Sequence, residues 1–435
     1  MARVYISFLG TNDYLTCTYF YKDNEVQNVR FVQEATLNFF CSQWTSEDRI
    51  LIFATGDAYE KNWLDNGHKD RNAGKIKNCM GLKRCIESLD LPVSVQKAPI
   101  PEGKSEQEIW EIFQIVYDQL KPGDEVMFDI THAFRSIPML AIVILNYAKT
   151  MKDVTLSGIY YGAFEVTGSY HEAEKLSQEK RRAPILDLTS FDQLMEWSFA
   201  VDRFLKAGDA HPVSSLAKKS VKPALMATKG QDAAAKTIRN IANSLEEFSK
   251  TLSTCRGLDI TSTTSKLKQH INRCQSLELL QPFKPIFDRV KKQTGLFPGD
   301  SIADGIQAAK WCLEHNLVQQ GYTLLQETLI SYLLIKINKQ PESINREIVG
   351  QAIYIYTNNK KLFPEEWKEP AKSNIKTTKK LIEFCKTKKE LIEIYRNLSN
   401  DRNDLNHAGH KKNPMSADKF SLKLGEYIRK TEQQL

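Results

Sequence analysis

No stretch of this chain approaches the roughly 20 consecutive apolar residues that a helical membrane span requires, which argues against an integral membrane protein. Cysteine-pairing signals are also missing. Cys17, Cys41, Cys79, Cys85, Cys255, Cys274, Cys312 and Cys385 never form Cys-x-x-Cys and lie mostly in apolar stretches, so buried thiols are expected rather than disulfides or a zinc site. There is no internal repeat, no heptad array and no low-complexity tail, which sets aside solenoids, coiled coils and disordered appendages. Met1-Ala2-Arg3-Val4 goes straight into a strand pattern, and a cytoplasmic location is the expectation.

What is present is a 435-residue chain with 41% hydrophobic residues, too long for one ordinary core, so two or three domains are expected. Its net charge of +7 is unevenly placed: residues 371–435 hold 15 Lys or Arg against 8 Asp or Glu, leaving 45 of each sign in residues 1–370. A solvated helical face explains such an excess, and so does a polyanionic partner.

The first third alternates strand and helix patterns. Residues 4–9, 50–54, 92–97, 125–130 and 154–161 read as strands, and segments near 31–42, 75–89, 106–120 and 137–150 as helices. A short hairpin would use 19–21 and 29–32. Ser105 and Glu108 form a capping box ahead of the apolar stripe Ile109, Ile112, Phe113, Val116 and Leu120, stopped by Pro122-Gly123. The pattern predicts an α/β Rossmann-like domain with a doubly wound, mainly parallel sheet over residues 1–188.

From about residue 190 the strand patterns end and helix-period apolar residues continue to the C-terminus. Phe191, Leu194, Trp197, Val201 and Phe204 suggest a connecting helix closed by Gly208, with long helices near 235–253, 302–336 and 377–400. The stretches 207–230 and 291–302 read as loops or boundaries between helical subunits. This divides the all-helical part into a connecting region, 189–300, and a terminal domain, 301–435.

Ligands of an open parallel sheet bind beyond the carboxyl ends of its strands, so three loops become candidates. They carry Gly10, Thr11 and Asn12; Gly56 and Asp57; and Thr131, His132, Arg135 and Ser136 ahead of a helix opening near Pro138. Glycine lets a ligand approach the backbone, hydroxyls and amides read polar edges, and Arg135 near a helix N-terminus favours phosphate. Turn chemistry accounts equally for the first two loops. Residues 98–105 fit a relaxed phosphate-loop pattern, but Pro99 and Pro101 lack N–H donors and Glu102 would repel phosphates.

Late in the chain comes Asp401-Arg402-Asn403-Asp404-Leu405-Asn406-His407. An imidazole exchanges a proton near neutral pH and a guanidinium holds a phosphate through paired hydrogen bonds, so Arg402 and His407 suit metal-independent RNA cleavage through the ribose 2′-OH. Five residues on an ideal helix turn through about 140°, so either the helix is interrupted there or two subunits build one site. Asn403 and Asn406 would orient phosphate or imidazole, or else bond locally at the helix end. His407, His410 and Asp404 lack a further ligand cluster nearby, and no metal is expected.

Together, VYISFLGTNDY at the start, DITHAFRS after a later strand, WCLEHNLVQQGYTLLQE and RNDLNH resemble the CRISPR-associated CARF-HEPN effector ribonucleases of type III systems. The resemblance runs from Met1 to about Gly409, with residues 207–300 contributing little. It implies a homodimer or higher homo-oligomer whose CARF domain binds cyclic oligoadenylate, cyclic tetra-adenylate first and cyclic hexa-adenylate second, as allosteric activator. It also implies a C-terminal HEPN domain cutting single-stranded RNA with Arg402 and His407, and an antiviral role. The ligand positions it matches are Gly10, Thr11, Asn12, Thr131, His132, Arg135 and Ser136. The alternative is a nucleotide-sensing regulatory protein whose helical part docks a partner or nucleic acid without cleavage.

Overall fold

A computed structural model describes residues 2–69, 74–132, 137–274, 284–358, 363–410 and 412–435, which divide into two compact units, Met1–Gln193 and Leu194–Leu435. The first unit is built on eight strands: β1 (Arg3–Leu9), β2 (Cys17–Tyr21), β3 (Asn24–Val29), β4 (Arg49–Ala54), β5 (Val95–Pro99), β6 (Glu125–Asp129), β7 (Thr155–Gly162) and β8 (Arg182–Asp187). They form one sheet in the order β3-β2-β8-β7-β6-β1-β4-β5. All neighbours are parallel except β2 with β3 and β7 with β8.

The helices of this unit are α1 (Val32–Cys41), α2 (Gly56–Ala58, continuing as a wider turn through Tyr59–Trp63), α3 (Leu82–Glu87), α4 (Glu106–Gln119), α5 (Ile137–Lys152), α6 (Tyr170–Lys175) and the start of α7 (Thr189–Ala207). Because strand side chains alternate, β1 sends Val4, Ile6 and Phe8 into one core with Ile112 and Val116 of α4 and Leu145 of α5. Tyr5 and Leu9 enter the opposite core with Val32, Ala35 and Leu37 of α1. Burial on both faces explains the near-continuous apolar runs of the central strands. The chain adds β4 and β5 on one side of β1 and then β6 and β7 on the other, so the order reverses between β1 and β6. The expected doubly wound α/β architecture is present.

Several boundaries differ from the sequence reading. The hairpin uses Asn24–Val29 as its second strand rather than 29–32, because Glu34 accepts from the N–H groups of Arg30 and Phe31 and starts α1 at Val32. The helix expected over 75–89 shrinks to Leu82–Glu87. Residues before it run extended, with Lys77 N–H bonded to His68 O and Gly81 N–H to Asp65 Oδ1. Strand β5 starts at Val95, three residues later than expected. Strand β8 was not anticipated, since Pro184 reads as a strand breaker; here it pairs with Phe20 near the hairpin edge.

In the second unit the remaining helices are α8 (His211–Ala227), α9 (Ala233–Ser253), α10 (Ile260–Cys274), α11 (Lys284–Gly295), α12 (Ser301–Glu314), α13 (Val318–Lys336), α14 (Ser343–Thr357), α15 (Ile375–Thr387), α16 (Lys389–Asn406) and α17 (Ala417–Gln434). The stretch 207–230 is therefore mostly helix, not loop: Val213, Ala217 and Val221, four apart, supply a narrow buried stripe beneath a polar surface. Similarly α11 extends to Gly295, and Asp300 caps α12 through the N–H groups of Ile302 and Ala303. Each of the two long C-terminal segments is two helices, broken near Asn316 (φ +58°) and at Lys388. Trp311 centres one core with Phe204, Phe248 and Phe297, so residues from 200 to 324 pack together across the expected boundary at 300. Helix α13 is buried almost all round, as a central helix must be, and shares a second core with α14 to α17. Among the described residues no helix is long and apolar enough to cross a membrane.

Candidate functional site

At the reversal between β1 and β6, the loops after these strands border a cleft of about 450 Å³. Asn12, Asp13, Tyr14 and Leu15 line one side and Thr131 and His132 another, with Tyr161, Gly162, Phe164 and Tyr170 from β7 and the segment following it. Tyr19, Arg30 and Glu165 complete most of the wall. The surface is strongly aromatic, suited to stacking against planar rings, with mixed charge at its edges.

The floor is organised by Asp129, fully buried at the end of β6. Its Oδ1 accepts from Thr131 N–H (3.0 Å) and Thr131 Oγ1 (2.5 Å), and its Oδ2 accepts from Tyr5 Oη (3.0 Å) and Ser7 Oγ (3.1 Å). Burial pushes this carboxyl above the usual carboxylate range, opposed by those hydrogen bonds. Thr131 Oγ1 also accepts from Gly162 N–H at 2.8 Å, tying the loop after β6 to the end of β7. The His132 ring packs on Tyr14 with centroids 4.2 Å apart, and its Nε2 is shielded from solvent without a partner among the described residues. Burial lowers its pKa to about 3, so the imidazole is neutral at physiological pH.

The loop after β1 is clamped from behind. Asn62, buried in the turn following α2, donates through Nδ2 to the carbonyl oxygens of Gly10 (2.9 Å) and Asn12 (2.8 Å), while its Oδ1 contacts His68 Nε2 at 2.9 Å. Arg30 donates from Nη1 to Met80 O (3.0 Å) and forms an ion pair with Asp13 (3.4 Å), which also pairs with Lys77 at 2.5 Å. A Cβ at Gly10 would stand 2.2 Å from the Tyr14 hydroxyl, so glycine here makes room for the ring that lines the cleft.

The second candidate site lies at the end of α16. The helix runs unbroken through Arg402 and terminates at His407, whose φ and ψ of −93° and 14° leave the helical region. Ala408 (φ +51°) and Gly409 (φ +76°) then reverse the chain, with Gly409 N–H bonded to Asp404 O. Interruption of the helix is thus one of the two arrangements that the five-residue spacing allowed. Arg402 is half-buried and donates from Nη1 to Gln326 Oε1 of α13 at 3.2 Å; His407 and Asn403 are exposed. Asn406 accepts from Gln319 Nε2 of α13 at 3.1 Å, a tertiary contact rather than the local helix-end bonding weighed for it. Two buried carboxylates hold the segment: Asp401 accepts from Tyr427 Oη (2.7 Å) and Lys423 Nζ (3.0 Å), and Asp404 from Met415 N–H (2.8 Å).

Residues 4–167 match the family profile described as the CARF domain of the CRISPR system endoribonuclease Csx1. The first unit is a CARF domain. Residues 193–295 match a second profile, the second domain of CRISPR-associated protein MJ1674. Over 340 residues the chain is 28% identical to CRISPR-associated protein MJ1674 of Methanocaldococcus jannaschii, covering 74% of this chain and 49% of the relative. The chain therefore spans about half the length of that curated relative.

Of the loop residues singled out from the sequence, Asn12, Thr131 and His132 line the CARF cleft. Gly10 sits behind Tyr14, and Thr11 is outside the lining. Gly56 and Asp57 also stand outside it: the N–H of Asp57 bonds Glu102 at 3.2 Å and its carboxylate pairs with Lys61 at 3.1 Å. Arg135 and Ser136 lie outside the described residues. Sequence reasoning missed Tyr14, Arg30, Asn62 and the aromatic residues after β7. Tyr14 was legible as the last residue of the first loop; Asn62 had no local signature, because its role depends on where the chain returns.

Proposed function

We propose that this CARF protein is a cyclic oligoadenylate-activated, metal-independent endoribonuclease that cuts single-stranded RNA as a homodimer in type III CRISPR defence. The observation that supports the reading is that the C-terminal end of α16 carries a half-buried guanidinium, Arg402, hydrogen-bonded to Gln326, and closes at an exposed imidazole, His407. His407 takes the proton of a ribose 2′-OH as the oxygen attacks phosphorus; the 2′-O–P bond forms, the P–O5′ bond breaks, and the leaving 5′-oxygen is protonated by an imidazolium. A second copy of the motif would supply that imidazolium, since one histidine cannot be base and acid in the same step. Arg402 clamps the phosphate and its developing charge, and exposed Asn403 would orient it.

The CARF cleft would take the activator. Its rings offer stacking faces for adenines, and Arg135, Ser136, Asn12, Thr131 and His132 are assigned to the ligand, cyclic tetra-adenylate ahead of cyclic hexa-adenylate. Regulation requires that the ligand bind the active arrangement more tightly than the resting one. The test is RNA degradation in EDTA with and without each cyclic oligoadenylate. Products bearing a 2′,3′-cyclic phosphate and a 5′-hydroxyl, formed only with the activator, support the reading; no cleavage with either ring, or cleavage that needs magnesium, overturns it.

A further inference from the structure

Helix α13 is buried among apolar residues, with Tyr322, Leu325, Leu329 and Leu333 in the core, yet it carries an amide there, Gln326, only 6% exposed. A buried amide destabilises a helical core unless both its ends are hydrogen-bonded. Gln326 has both: Oε1 accepts from Arg402 Nη1 at 3.2 Å, and Nε2 donates to Tyr395 Oη at 3.4 Å. Tyr395 and Arg402 both lie on α16, so one side chain of α13 bridges two positions of the helix that bears the motif. Among the described residues, Gln326 is the only hydrogen-bond partner of the Arg402 guanidinium, whose Nε is shielded from solvent and unpartnered.

A guanidinium presents five N–H donors in a rigid plane, so holding one Nη restrains the directions open to the rest. Seven residues before Gln326, two helical turns away, Gln319 holds Asn406 at the other end of the motif. We infer that Gln326, braced by Tyr395, is a positioning residue that sets the plane of the Arg402 guanidinium for phosphate. The inference rests on the RNA-cleavage reading for its consequence, but not for the contact itself.

Two measurements separate these. In the full chain, the ¹⁵Nε–¹Hε resonance of Arg402, assigned by its loss in Arg402→Lys, reports whether the guanidinium is held. It should be a single sharp signal in the parent and averaged in Gln326→Met, which keeps the volume and removes the amide. In the cleavage assay with activator, Gln326→Met should lower kcat by about 10- to 100-fold, with KM changed by less than about threefold, as expected for a misplaced rather than missing group. Gln326→Glu keeps an acceptor atom and should recover kcat relative to Gln326→Met while raising KM, because a carboxylate repels RNA. Combined with Arg402→Lys, Gln326→Met should add little further loss. If the parent cuts RNA and Gln326→Met retains its kcat, or its effect is undiminished in the Arg402→Lys background, the positioning role is overturned. If the parent cuts nothing, the cleavage reading fails, and the resonance still decides whether Gln326 holds Arg402.

Discussion

Substituting Asn62 tests how the CARF cleft is built. Its Nδ2 donates to two carbonyl oxygens, of Gly10 at 2.9 Å and Asn12 at 2.8 Å, and Asn62 is wholly buried. Truncation to alanine strands both carbonyls, at about 1–3 kcal/mol each for an unsatisfied buried group, and water entering the vacated space favours the lower half, giving roughly 2–4 kcal/mol. For a unit of this size that predicts a fall of about 4–16 °C in its melting transition. Asn62→Asp separates hydrogen bonding from packing: it keeps the volume but turns an oxygen toward the two carbonyls. At neutral pH it should destabilise at least as much as alanine, and the deficit should ease in acid as the carboxyl gains a proton to donate. Calorimetry on the full chain measures the transition, and amide exchange of residues 10–14 locates the loosened segment. Variants that melt within about 1 °C of the parent, with unchanged exchange in that loop, would refute the claim that Asn62 holds it.

His407→Ala and Arg402→Ala should each reduce activated RNA cleavage by about 10²- to 10⁴-fold while leaving ligand binding intact; retained cleavage by the His407 variant removes it from the chemistry. His132 makes an acid-side prediction, because its folded pKa of about 3 lies below its ordinary 6.5, so between these values the unfolded chain binds the extra proton. Stability is therefore lost as pH falls below about 6.5, by about 2 kcal/mol at pH 5, and His132→Gln should flatten that decline in urea titrations at pH 7 and pH 5. Parallel declines in parent and variant would count against a buried neutral imidazole. Thr131→Val leaves the buried Gly162 N–H without its acceptor and should lower stability by roughly 1–3 kcal/mol, whereas Thr131→Ser should restore most of it; equal stabilities for both variants in urea would contradict the bridge.

The alternation of apolar strand and helix segments was sufficient to place β1, β4, β6 and β7 within a residue or so, because central parallel strands are buried on both faces and announce themselves by composition alone. The N-cap at Ser105 and the stop after Leu120 were equally local, and α4 lies between them, although Glu108 reaches the N–H of Lys104 rather than closing the box on Ser105. Elements away from the sheet centre were harder: β8 contains Pro184, and its pairing with β2 spans more than 160 residues of sequence. Helix α8 shows the same weakness, since its buried stripe is too narrow to distinguish it from a polar loop until α9 packs against it.

The candidate sites divide along the same line. Sequence alone nominated Asn12, Thr131, His132, Arg402 and His407 as candidates, whose neighbours in the chain include turn formers, a strand end or a helix stop. Tertiary structure decided that Asp129 and Asn62 anchor the cleft loops, that Tyr14 and the rings following β7 form its wall, and that Gln326 meets Arg402. The physical reason is range: capping, periodicity and turn chemistry act over a few residues and can be read in order. A hydrogen bond between residues 52 or 76 positions apart exists only once packing has brought the two segments together.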